Sequence, residues 1–134
     1  MKIGIPKEGH GETRVASSPD VVKRLIGLGF SVTIEKNAGV SSSFSDQKYK
    51  DAGASISKDA AGALKNADVI MKVQSLTTSG AKSELSMLKK GAIFIAGIGS
   101  LSAKKDLQAF KNAGITCFDT VSYTHLTLPT SDLV

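Results

Sequence analysis

The sequence predicts an α/β protein built on a doubly wound, mainly parallel sheet, and three observations lead there. Short apolar stretches alternate with helix-forming stretches of about ten residues, the order that right-handed crossovers between parallel strands produce. Four glycines, Gly29, Gly53, Gly91 and Gly114, each close such a stretch immediately before a strand. The left-handed conformation that ends a helix is cheap for glycine alone. Finally, AIFIAGI at 92–98 is almost wholly apolar, as a strand covered on both faces must be.

The elements follow in order along the chain. KIGI (2–5) reads as a buried strand. Ser18 caps a helix that Pro19 and Asp20 open, because proline fits the first turn and a carboxylate suits the positive helix end. Val21, Val22, Leu25, Ile26 and Leu28 supply its apolar face before Gly29. SVTIEK (31–36) alternates as a strand, and NAGVSSSF follows as a loop. A short helix over Ser45 to Asp51 ends at Gly53, and ASI (54–56) is a brief strand. An alanine-rich helix over 58–67 leads to the strand DVIMKV (68–73). A helix through 81–90 ends at Gly91 before AIFIAGI. A last helix, 102–113, ends at Gly114 and gives way to the strand ITCFD (115–119).

Composition narrows the function classes. The chain has 134 residues, 41% apolar and 22% charged, which suits one ordinary globular domain. No apolar run reaches the roughly 18–20 residues of a membrane span, and MKIGIPKEG lacks the apolar core of a signal peptide. Cys117 is the sole cysteine, so it forms no internal disulfide, and it points to a reducing compartment. The net charge of +5 comes from scattered lysines without interleaved aromatics, which speaks against nucleic acid as a partner.

In such sheets ligands bind outside the carboxyl ends of the strands. Arg14 lies in the loop leaving the first strand, Gln74 follows VIMKV, and Gly97-Ile98-Gly99-Ser100 follows the most apolar strand. Three loops thus share one edge. The Gly97 loop falls short of a dinucleotide fingerprint, because Ser102 stands at the third glycine position, although Asp119 lies at the right distance for the acidic partner. A tight strand-to-helix turn is the plainer reading. His10, between two glycines, is poorly placed for a general base, and His125 lies in an atypical tail. There is no Cys/His cluster for a metal and no Ser-His-Asp set. Arg14 by itself reads equally as a surface charge or an anion clamp.

Taken together, IGIPKE, ETRVASSP, VVKRLIGLGFSVTIEKNAG, AGASI and ADVIMKV closely resemble the N-terminal domain shared by alanine dehydrogenase and the NAD(P) transhydrogenase alpha subunit. The resemblance runs from Met1 to about Asp119. It implies a flavodoxin-like domain that precedes a Rossmann NAD domain in the longer polypeptide. In the alanine dehydrogenase branch the arginine matching Arg14 binds the substrate carboxylate, a lysine stands where this chain has Gln74, and a histidine near the end of the next strand donates a proton. Gln74 carries no charge, and 92–100 contains no histidine. The chain therefore resembles the transhydrogenase branch.

That branch implies hydride transfer between NAD(H) and NADP(H) coupled to proton translocation. Its partners would be NADP(H)-binding and membrane subunits, with a homodimer when full-length, at the cytoplasmic side of the inner membrane. NAD(H) would be bound by the full-length subunit, and no cofactor or catalytic residue is expected in 1–119 alone. The family's Arg, Gln and Asp loop beside the nicotinamide begins beyond the resemblance. Arg14 and Gln74 become substrate-pocket wall residues, with Arg14 either a framework charge paired to Glu8 or Glu12 or a contact to the NAD(H) carboxamide or phosphate. The alternatives are an alanine dehydrogenase relative and a non-enzymatic α/β interaction module, the latter resembling a receiver domain but lacking its acidic cluster. Residues 120–134, TVSYTHLTLPTSDLV, depart from the family pattern and resemble the translation of a sequencing-adapter end. They are expected to be irregular and poorly packed.

Overall fold

The computed structural model describes residues 1–9, 11–74, 83–96 and 104–119. Six strands form one sheet: β1 (Lys2–Ile5), β2 (Ser31–Glu35), β3 (Ser55–Ser57), β4 (Val69–Lys72), β5 (Ile93–Ala96) and β6 (Thr116–Asp119). Their order is β3-β2-β1-β4-β5-β6, and every neighbouring pair is parallel. The doubly wound α/β class expected from the sequence is what the chain adopts. Its strand order is the 3-2-1-4-5-6 of dinucleotide-binding sheets, where the flavodoxin-like order would be 2-1-3-4-5. The reversal, or switch point, falls between β1 and β4.

Four helices accompany the strands among the described residues: α1 (Pro19–Gly27), α2 (Asp46–Asp51), α3 (Ala60–Leu64) and α4 (Lys104–Asn112). Side-chain oxygens cap three of them: Ser18 accepts from the Val21 amide, Ser45 from Lys48, and Asp59 from Gly62. The apolar content divides by strand alternation into two cores. Ile3, Ile5, Val32, Ile34 and Val69 face Val22 of α1 and Tyr49 of α2. Ile70, Phe94 and Ala96 face the other way, toward Leu64 of α3 and Phe110 of α4. On that second face α3 crosses β1 so closely that a Cβ on Gly4 would lie 2.0 Å from the Ala63 carbonyl oxygen. Only glycine permits that approach.

Three local expectations change. Within the helix predicted over 81–90, residues 83–90 hold only a 3-10 turn at Leu85–Met87, and Leu88 is already extended. Leu85, Met87 and Leu88 all pack on the second core; an α-helix would carry Met87 about 200° round from Leu85 and away from it. In α1, Val22 is buried while Val21 and Leu28 are exposed, because at about 100° per residue Val22, Leu25 and Ile26 share a face that the other two do not. The helix predicted over 58–67 shortens to Ala60–Leu64 behind its Asp59 cap. The four glycines do take left-handed backbone angles, with φ from +76° at Gly114 to +105° at Gly53. His10, residues 97–100 and the tail 120–134 with His125 lie outside the described residues.

Candidate functional site

The site at the carboxyl edge of the sheet begins with Ile5-Pro6, buried at the end of β1, from which the chain turns into the polar loop 7–18. Two neighbouring strands hold the root of that loop. The Lys7 amide donates to Glu35 Oε1 of β2 at 2.8 Å. Glu8, 7% exposed, reaches across to β4, where its Oε2 accepts from the Val73 amide at 2.9 Å and its Oε1 from the Gln74 amide at 3.0 Å. Gln74 returns the contact, its Oε1 accepting from the Gly9 amide at 2.9 Å. Three hydrogen bonds thus clamp the first loop to the end of β4, across the switch point.

Beneath the clamp Lys72, buried at 4% exposure, directs Nζ to both carboxylate oxygens of Glu84 at 2.8 and 3.0 Å. A lysine inside an apolar strand is tolerable only when its charge is matched, and Glu84 supplies the match. Burial pushes the Glu8 carboxyl above its ordinary value, opposed by the Val73 and Gln74 amides and by the Lys72 charge. Lys72 and Glu84 carry no role in the sequence reading. The signal for them was the single charge inside VIMKV.

The loop tip is built differently. Arg14 is exposed and folds back on Glu12, with Nε and Nη2 each donating to one carboxylate oxygen at 2.8 Å and its own amide donating at 2.9 Å. The guanidinium bonds hold the Glu12 carboxyl at about 2. Arg14 is therefore a two-pronged carboxylate clamp that already holds a carboxylate from its own loop. Of the residues expected at this edge, Gln74 belongs to the clamp at the root and Arg14 to the pair at the tip. The Gly97–Ser100 loop and the side chain of Asp119 lie outside what is described.

NAD(H) was tested against these residues. A dinucleotide pyrophosphate needs a glycine-rich turn leading directly from strand into helix, with free backbone N–H groups. Here α1 starts only at Pro19, and Glu8 takes the amides that follow β4. The described residues do not form a pyrophosphate cradle. Nor, among them, does any group of three His, Cys, Asp or Glu side chains suit a metal ion. Cys117 is half-buried against the second core, and burial pushes its thiol up to about 11.

The family model "Alanine dehydrogenase/PNT, N-terminal domain" matches residues 4–125. The chain is 44% identical over 120 residues to an NAD(P) transhydrogenase alpha subunit of Rhodospirillum rubrum, covering 88% of this chain and 31% of that protein. It is 35% identical to the alanine dehydrogenase of Staphylococcus haemolyticus, covering 96% of this chain and 34% of the relative. The transhydrogenase crystal structure from Sinorhizobium meliloti superposes with a TM-score of 0.78 at 38% identity, over 89% of this chain and 34% of that one. The chain thus spans about a third of the length of the relatives it matches. It belongs to the alanine dehydrogenase/PNT N-terminal domain family.

Proposed function

We propose that this chain is the N-terminal portion of the NAD(H)-binding alpha subunit of a proton-translocating NAD(P)+ transhydrogenase. In the full-length subunit NAD(H) would sit in a further domain, and hydride would pass to NADP(H) held by a partner subunit. The membrane subunits would couple that transfer to proton movement, and the alpha subunit would be a peripheral homodimer. No described helix is long and apolar enough to cross a membrane.

The observation that carries the choice of branch is Gln74. Its neutral amide can neither hold a charge nor relay a proton. In this structure its oxygen is turned onto the Gly9 amide. Within the complex the domain's own residues do positional work: Glu8 and Gln74 fix the loop root, and Glu12 orients Arg14 along the cleft wall. The isolated chain would be inactive.

A chimera tests the proposal. Residues 1–119 replace the matching N-terminal stretch of the Rhodospirillum rubrum subunit, and the reconstituted enzyme is assayed for both reactions. Retained hydride transfer from NADH to an NADP+ analogue, with no NADH formed from alanine, is the expected outcome. Robust alanine-dependent NADH formation would instead favour an alanine dehydrogenase relative.

A further inference from the structure

In a parallel sheet whose order reverses, the crevice beyond the carboxyl ends of the two central strands is where anionic ligands settle, held by backbone N–H groups. Here those strands are β1 and β4. The first two amides past β4, Val73 and Gln74, point into that crevice, and one carboxylate meets both, one oxygen to each amide. That is the geometry of a bound carboxylate ligand, except that it is tethered: Glu8 stands three residues beyond the end of β1.

We propose that Glu8 is a built-in ligand filling the anion position of the switch point, so that the chain takes no free anion there, and that removing its side chain leaves a site for a small free monocarboxylate. The selectivity follows from the surroundings. Two adjacent N–H donors match the two oxygens of a planar carboxylate. Lys72 favours one negative charge at this place, while Glu84 opposes a second. A dianionic phosphate is therefore a poorer occupant than formate or acetate.

The test uses the full chain, nitrogen-15 labelled, as wild type and as Glu8→Ala. Each is titrated with sodium formate at constant ionic strength, with chloride and phosphate in parallel. In Glu8→Ala the Val73 and Gln74 amide resonances should shift saturably with formate, half-saturating on the order of tens of millimolar, and Tm should rise by a few degrees. Chloride should move neither amide, phosphate should bind more weakly than formate, and the wild type should respond to none of them. A folded Glu8→Ala without a saturable formate response overturns the proposal, as does the same response in the wild type or phosphate binding as tightly as formate. Should Glu8→Ala fail to fold, Glu8→Gln decides, since it keeps the volume but offers only one oxygen. Hydrogen exchange should then accelerate about tenfold or more at one of the two amides while Ile5 and Ile34 stay protected. Unchanged protection at both Val73 and Gln74 would overturn the proposal.

Discussion

The root and the tip of the first loop hold two carboxylates four residues apart that have opposite fates. Glu8 is buried, bonded to two amides of another strand, and its carboxyl is pushed up by burial. Glu12 is bonded within its own loop to an exposed arginine, and its carboxyl is pulled down to about 2. The difference lies in what each group gave up. Glu8 exchanged water for a fixed strand end and thereby ties the loop to the sheet. Glu12 kept much of its water, so its pairing orders the tip without anchoring it. Position relative to the sheet edge, not residue type, decides which charge is structural.

The contrast is broken most severely at the root. Glu8→Ala leaves two amides without acceptors beside a new cavity, and chemical denaturation should show a loss of about 3 kcal/mol. Gln74→Ala removes only the return bond to Gly9 and should cost about 1 kcal/mol, with faster exchange at the Gly9 amide. At the tip, Arg14→Ala should leave Tm unchanged within error, because an exposed pair is screened by water and salt. A fall of several degrees there would show the tip to be as structural as the root.

The two carboxylates should also differ in the sign of their pH dependence. The folded-state pKa of Glu8 is raised, so its share of stability is complete below the ordinary carboxyl value of 4.5 and is lost as pH rises through the folded value. That of Glu12 is depressed, so its share is present above 4.5 and is lost as pH falls towards about 2. Stability measured from pH 4 upward should fall less in Glu8→Gln than in the wild type, and Glu12→Gln should leave that limb unaltered. The smallest effect concerns Cys117. With its thiol near 11, alkylation at pH 8 should run far slower than for a free cysteine, which a timed mass-spectrometric assay reads directly.

The sheet was legible because its signals are local. Gly29, Gly53, Gly91 and Gly114 each mark a chain reversal, and apolar runs between them mark the strands. Strand order was not legible, since sequence spacing does not say on which side of β1 the fourth strand lies. The helix expected over 81–90 failed because Leu85, Met87 and Leu88 answer to the core beneath them and not to helical periodicity. At the site, Arg14 and Gln74 were found by their position after strands. The clamp was missed because Glu8, Val73 and Gln74 meet only once β1 and β4 are adjacent, at a separation of 65 residues or more. Lys72 inside VIMKV did announce a buried charge, but nothing in the sequence named Glu84 as its partner.

The central claim is that this domain walls the cleft and holds no nucleotide site of its own. Isothermal titration of NADH into the isolated chain tests it most directly. No heat of binding at millimolar NADH is the predicted result. Saturable binding with a micromolar Kd, about 8 kcal/mol, would contradict it and place a nucleotide site within these 134 residues.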